Sequence, residues 1–248
     1  MYMKKLVYLL LFFTSGIYAS ETIELSEIGT ITVATESWEE ATNEDGSGVY
    51  FDIIRAVYKP LGINIKTVIV PYERSIQIVK NGKADFWVAS YRDEEDFPIY
   101  PEHSFDRDLV TAFFKKSQFA EWQGVDSLKD KTVAWIRGYD YDEYITDIPM
   151  KKVELDARDG ILKMLQNNRV HVYLDAEEEI DTALEEQNFD ATDYKKQTLL
   201  ELKLYMAFAN NDRGKALAKI WDQRMVELHE NGELKQIYDK SDYAVFPF

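Results

Sequence analysis

The feature that most constrains this chain is a regular alternation of short apolar strands with amphipathic helices, run through twice. In the first series Thr30–Thr35 reads as a buried strand. Gly48–Leu61 then places Phe51, Ile54, Val57, Tyr58 and Leu61 at helical spacing, and Pro60 and Gly62 mark its end. Ile63–Val70 alternates as a strand, Arg74–Lys80 is a short helix stopped at Asn81-Gly82, and Asp85–Ala89 is a strand again. The second series starts near Ser127. Strands are expected at Lys131–Ile136, Lys151–Leu155 and Val170–Leu174. Helices are expected from the Arg137-Gly138-Tyr139 turn to about Ile145, at Gly160–Gln166 and at Glu177–Leu184. Strands separated by helices pair in parallel through right-handed crossovers, which makes the fold class α/β.

Two apolar runs break the rhythm. Leu109–Phe114 and Lys203–Ala209 read as crossing strands that join two lobes, each a mainly parallel sheet flanked by helices. The helices Asn211–His229 and Gly232–Asp239 close the chain, and their stripe of Leu217, Ile220, Trp221, Met225 and Leu228 reads as core. The implied division is a leader over 1–19, a first lobe of 20–114 and 203–248, and a second lobe of 115–202.

Lys4 and Lys5, the apolar run LVYLLLFF and the small residues ending at Ala19 have the three-part form of a secretory signal. The apolar run is shorter than the roughly 20 residues of a spanning helix. An exported chain is therefore expected, located in the periplasm. It has no cysteine, which excludes disulfides, thiolate metal sites and a lipid anchor on cysteine. Its formal charge of −16 argues against nucleic acid as a partner, because phosphates select a basic surface. No cofactor or metal is expected: the sequence holds no paired-histidine spacing and no nucleophile elbow.

The stretch Val70–Asp96 concentrates the candidate chemistry. One strand end delivers Tyr72, Glu73 and Arg74, and the next delivers Ser90, Tyr91 and Arg92 to the same sheet edge. Ligands of open α/β sheets bind at that edge. Arg74 and Arg92 are candidate carboxylate anchors, since a planar guanidinium meets a carboxylate in two-point contact. Trp38 and Tyr72 are candidate aromatic walls. In the second series Arg137, Gly138 and Tyr139 sit where a strand turns into a helix, a place suited to an anion. Asp175 ends a strand and reads equally as a ligand contact or as a helix cap. Glu36, Glu39 and Glu40 make the first loop acidic, a solvated face or a preference for a cationic ligand. His171 reads as packing.

These segments, in this order, resemble the family 3 extracellular solute-binding proteins, the amino-acid-binding members of the type II periplasmic binding protein fold. The carriers are Gly48…Phe51-Asp52-Ile53-Ile54, Pro71…Arg74…Gly82…Asp85, Leu128…Lys131…Val133, Arg137-Gly138-Tyr139…Tyr141, Arg169-Val170…Asp175 and His229…Gly232…Leu234…Ile237-Tyr238…Lys240. The resemblance implies a two-lobed monomer that closes on an amino acid or similar small polar carboxylate and presents it to an ABC importer permease. It implies that Asp175 accepts hydrogen bonds from a ligand ammonium. It also places an arginine, in a Glu-Arg pattern, where this chain has Glu95-Asp96. Either Arg74 or Arg92 substitutes, or the ligand is not a standard α-amino acid. Two other classes stand beside transport: a dehydratase-like enzyme on the same scaffold with Glu73, Asp140 or Asp175 as its acid, and a sensing module that acts on a partner protein.

Overall fold

In a computed structural model, residues 28–241 and 246–247 are described. The leader segment lies outside them. The strands are β1 (Thr30–Thr35), β2 (Asn64–Ile69), β3 (Phe86–Tyr91), β4 (Asp106–Lys115), β5 (Thr132–Ile136), β6 (Lys151–Leu155), β7 (Val172–Ala176) and β8 (Tyr194–Phe208). The helices are α1 (Val49–Tyr58), α2 (Tyr72–Lys80), α3 (Arg158–Gln166), α4 (Glu177–Glu186), α5 (Asp212–Glu230) and α6 (Glu233–Tyr238).

All the strands join one eight-stranded sheet in the order β2-β1-β3-β8-β4-β7-β5-β6. Its two ends have the same design. β1 lies between β2 and β3, and β5 lies between β6 and β7, in parallel in each case. The first strand of each series is therefore central, and the chain reverses its direction of winding beside it. In the middle β4 and β8 run antiparallel along their whole overlap, from Asp106 opposite Leu204 to Lys115 opposite Tyr194. β8 also pairs with β3, and β4 with β7. These are the two crossing strands that the apolar runs led us to expect.

Both crossing strands extend beyond those runs. β8 is 15 residues long, and its first half, Tyr194–Leu202, is at most half-buried. An exposed face admits Lys195, Lys196 and Gln197, so that half lacks the apolar signal. The helix expected from Tyr139 to Ile145 is a single 3-10 turn, Tyr141–Glu143. Asp140 before it takes a left-handed backbone (φ 42°), which stops an α-helix from starting there.

The larger core runs from the first three strands through the crossing strands to Val133, Trp135, Tyr141 and Val172, with Trp87, Phe86, Tyr58 and Trp221 fully buried. A smaller one lies beneath α3 and α4, around Phe113, Ile161, Leu165, Tyr173 and Ile180. Asp85 stitches the first core together. Its carboxylate accepts from the Thr32 backbone N–H at 2.7 Å and from Arg213 Nε at 2.6 Å, tying β1 to α5. Gly48 is required by space as well as by φ: a Cβ there would lie 2.3 Å from the Ala41 carbonyl oxygen, which accepts the Tyr50 N–H of α1. His171 accepts the Thr132 backbone N–H on Nδ1, a packing role.

Candidate functional site

The carboxyl ends of β1 and β3 face those of β5 and β7 across the crossing strands, and the residues that follow these ends meet in a cleft. After β1 come Glu36 and Trp38. After β3 comes Glu94, next to Tyr91. After β5 comes Tyr139, and β7 ends in Asp175 and Ala176. Together with Tyr50, Tyr72, Ala89, Asp108, Glu179 and Leu204 most of these line a cavity of about 30 Å³. That is room for a solvent molecule or two. The lobes close directly on one another. Trp38 Nε1 donates to the Tyr139 hydroxyl at 3.2 Å, and the Tyr72 and Tyr139 rings meet edge to face at 5.7 Å. Tyr91 packs edge to face on Tyr144 at 5.2 Å.

On the first-lobe wall the carboxylates are held by neutral donors. Glu94 Oε2 accepts from the Tyr72 hydroxyl (2.6 Å), the Ser90 hydroxyl (2.7 Å) and the Tyr91 N–H (3.1 Å). Burial nevertheless pushes Glu94 up to about 7. Asp108 accepts the Tyr91 hydroxyl at 2.6 Å, and burial pushes it well above the usual carboxylate range. The backbone under this wall is strained. β3 carries a register shift between Trp87 and Ser90, and Ala89 within it has φ 64°. A left-handed alanine is costly and marks a position the surrounding structure over-determines.

On the second-lobe wall the centre is Arg158, the first residue of α3. Its Nε donates to Asp175 at 3.1 Å, and its NH2 group contacts Glu179 at 2.9 Å and donates to the Tyr139 hydroxyl at 3.0 Å. Glu36, from the opposite lobe, lies 3.9 Å from the same guanidinium. Burial opposes the charge on Arg158, but Asp175, Tyr139 and Glu179 outweigh it and hold its pKa high. Burial pushes Glu179 up to about 7, with Arg158 pulling against it. Burial likewise raises Glu36, again opposed by Arg158. Asp175 also accepts the Tyr173 hydroxyl at 2.5 Å and the Ala176 N–H.

Outside the cavity a groove of about 310 Å³ runs between Glu73, Glu94 and Glu95 on one lobe and Arg137, Gly138, Asp140 and Glu154 on the other. Glu94 lines both spaces. Gly138 (φ 85°) brings the β5 turn close to α2, since a Cβ on it would stand 3.4 Å from Glu73 Cβ. Among the described residues no group of acids and histidines is arranged to hold a metal ion.

The crystal structure of the substrate-binding protein of an amino-acid ABC transporter, 20% identical, superposes with a TM-score of 0.69 over 87% of this chain and 100% of that one. A substrate-binding protein of an ABC uptake transporter from Streptococcus pneumoniae with bound histidine, 16% identical, gives 0.69 over 90% and 96%. This chain has the fold of these binding proteins. A histidine kinase sensor domain with similarity to periplasmic binding proteins shares it too, at 14% identity and a TM-score of 0.73, over 88% of this chain and 98% of that one. No protein-family model and no curated protein sequence matches the chain.

Of the residues singled out in the sequence, Trp38, Tyr72, Tyr139 and Asp175 are brought together on the cavity wall. Ser90 stands behind it, buried and bonded to Glu94. Gly138 and Arg137 lie in the outer groove, where Arg137 is exposed and pairs with Asp156 at 2.8 Å. Arg74 and Arg92 are not brought to the cavity. Arg74 is exposed on α2, whose buried face is Tyr72, Ser75, Ile76 and Val79. Arg92 lies over the Tyr205 ring at 4.3 Å and donates to the Pro101 carbonyl at 2.5 Å. The physical reason is helical geometry: with Tyr72 turned inward, Arg74 two residues on points elsewhere.

Arg158 is the residue that sequence reading missed. Placing the start of α3 at Gly160 left Arg158 in a loop. The available signal was its position just past the end of β6, the same kind of place that drew attention to Arg74. Glu94 was passed over because its neighbours Glu95 and Asp96 drew the comparison with an arginine. Glu95 instead pairs with Lys80 at 3.6 Å.

Proposed function

We propose that this protein is a periplasmic solute-binding protein that captures a small polar molecule, an amino acid or a relative of one, and delivers it to an ABC importer permease. The observation that carries the reading is the meeting of two half-sites. Trp38 and Glu36 of one lobe reach Tyr139 and Arg158 of the other, directly over the crossing strands. Such a cleft works by hinge closure and release, and it needs no bond-making chemistry. We take residues 20–114 and 203–248 as the first lobe and 115–202 as the second, with the hinge where β4 and β8 pass between them. The charge and the absence, among the described residues, of a helix long and apolar enough to cross a membrane accord with an exported protein. Removal of the leader 1–19 belongs to the same proposal.

The test is a thermal-shift screen of amino acids, amines and organic acids on the mature protein. A ligand at about 100 times its Kd stabilises by about 2.7 kcal/mol. For a chain of this size that raises the Tm by about 5–10 °C. A screen without any such rise contradicts solute binding.

Glu94 gives a second reading some footing, because a buried carboxyl titrating near 7 can act as an acid. A dehydratase-like enzyme would use it to protonate a leaving hydroxyl. Product formation from a cyclic carboxylate such as prephenate, lost in Glu94→Gln, would move the assignment to that reading.

A further inference from the structure

We propose that the ligand of this cleft is an organic cation, whose ammonium group is held between the aromatic rings and the unpaired carboxylates of the first-lobe wall. This rests on the solute-binding reading and names its ligand class.

Three observations point the same way. First, the cavity wall carries Glu94, Asp108, Asp175 and Glu179, and no lysine or arginine among the described residues. Asp175 and Glu179 are served by Arg158 from behind the wall. Glu94 and Asp108 have only hydroxyl and N–H donors. Second, the same wall is aromatic, with Trp38, Tyr50, Tyr72, Tyr91 and Tyr139. Ring faces beside carboxylates attract a cation, and the Tyr72 and Tyr91 hydroxyls that could serve an anion already donate to Glu94 and Asp108. Third, the outer groove that leads to Glu94 carries more acids than bases: Glu95 pairs with Lys80, Asp140 and Glu154 share Lys152, Arg137 is engaged by Asp156, and Glu73 adds a further carboxylate. Like charges converging on a cleft raise the local concentration of the opposite charge.

The chain supplies its own example of what these groups recognise. The Arg158 guanidinium lies 5.9 Å from the Tyr139 ring centroid and is clasped by carboxylates of both lobes. A second cation beside Glu94 and Asp108 would complete the same arrangement on the opposite wall. It would relieve the cost of burying those two carboxylates, which desolvation now drives toward their neutral forms. A ligand whose only charge is a carboxylate would find no lysine or arginine among the described residues of the cavity wall to meet it.

The experiment is a matched titration of the mature protein by calorimetry and thermal shift at constant ionic strength. Putrescine, choline and lysine are set against succinate, glutamate and glutamine. At least one of the first three is expected to bind and to raise the Tm by 5 °C or more. Glu94→Gln, which keeps the shape of the side chain, is expected to weaken that binding at least tenfold while the protein stays folded. Asp108→Asn is expected to act in the same direction, and Tyr72→Phe serves as the milder variant should Asp108→Asn fail to fold. Binding of succinate or glutamate without any of the cations overturns the ligand class and leaves solute binding standing. Binding of a cation that is indifferent to both Glu94→Gln and Tyr72→Phe overturns the site. No response to any of the three cations overturns this inference, whichever of the other three binds; the solute-binding reading falls only when the full screen of amino acids, amines and organic acids gives no rise in Tm.

Discussion

The two walls of the cleft hold their acids by opposite means. On the second lobe Asp175 and Glu179 share one guanidinium, so charge is met by charge. On the first lobe Glu94 and Asp108 are met by tyrosine and serine hydroxyls and one backbone N–H. The second wall thus carries a cation of its own, and the first, among the described residues, carries none. Strand topology explains much of the symmetry of position, because Glu94 follows the end of β3 and Asp175 and Glu179 stand at the end of β7 and the start of α4, each beside the central strand of its series. It does not explain the asymmetry of charge, which depends on one arginine at the start of α3.

The sharpest way to break this contrast is to remove that arginine. Arg158→Met leaves Asp175 and Glu179 buried without a counter-charge. Breaking one side of a buried ion network costs about 3–5 kcal/mol. We expect a loss of that size in urea denaturation of the mature protein. Adding Glu179→Gln to the same chain is expected to recover part of it. A loss below about 1 kcal/mol would mean that the second wall is not held together by charge.

Acid titration comes next in size. Burial pushes Glu94, Asp106 and Glu179 up to about 7 from ordinary values of 4.5, 3.8 and 4.5. Their folded forms bind protons more tightly than the unfolded chain does, so stability falls as the pH rises from the ordinary values through about 7, and levels off above it. A shift of this size corresponds to about 3 kcal/mol for one such group. The Tm should therefore be higher at pH 5.5 than at pH 8. Glu94→Gln should flatten the first-wall part of that slope, and Glu179→Gln the second. A Tm that climbs with pH over this range would contradict the burial of these acids without sufficient charge to meet them.

A smaller effect is expected where the two walls touch. Trp38→Phe keeps a ring against Tyr72 and deletes the hydrogen bond from Nε1 to the Tyr139 hydroxyl. The loss is about 1 kcal/mol. It falls on closure rather than on either lobe, so it should appear as a larger radius of gyration in small-angle scattering more than as a lower Tm. An unchanged radius would show that the contact does not hold the lobes together.

How much of this was legible beforehand follows from which signals are local. The strand-helix alternation, the crossing strands and the aromatic pair Trp38 and Tyr72 rest on periodicity and on positions just past strand ends, and these survive in a single sequence. The first half of β8 does not, because an exposed antiparallel strand of lysine, glutamine and threonine has no apolar run to announce it. The partners of the site are not local either. Arg158 is brought to Asp175 across 17 residues and to Glu36 across 122, and only the folded sheet places them together. Backbone strain at Ala89 and Asp140 has no sequence sign, since both are residue types that ordinarily avoid or only tolerate a left-handed backbone.

The smallest effect is expected from Arg74, one of the two arginines that the sequence offers as a carboxylate anchor. It stands exposed on α2, on the side of the helix away from Tyr72, Ser75, Ile76 and Val79. No ion pair involving it is formed among the described residues, although Glu73 is next to it in the chain. Surface substitutions of this kind change stability by less than about 0.5 kcal/mol. Arg74→Ala should leave both the Tm and the ligand-induced rise in Tm where they are in the parent protein. The comparison is informative because the alternative is sharp. If Arg74 anchors a carboxylate, then α2 must turn by roughly half a helical turn when ligand binds, and Tyr72 must leave Glu94. Loss of the ligand response in Arg74→Ala, with stability intact, would establish that rearrangement and make the first wall a site for anions. A response that persists in Arg74→Ala and disappears in Glu94→Gln would assign recognition to the carboxylate side of the wall.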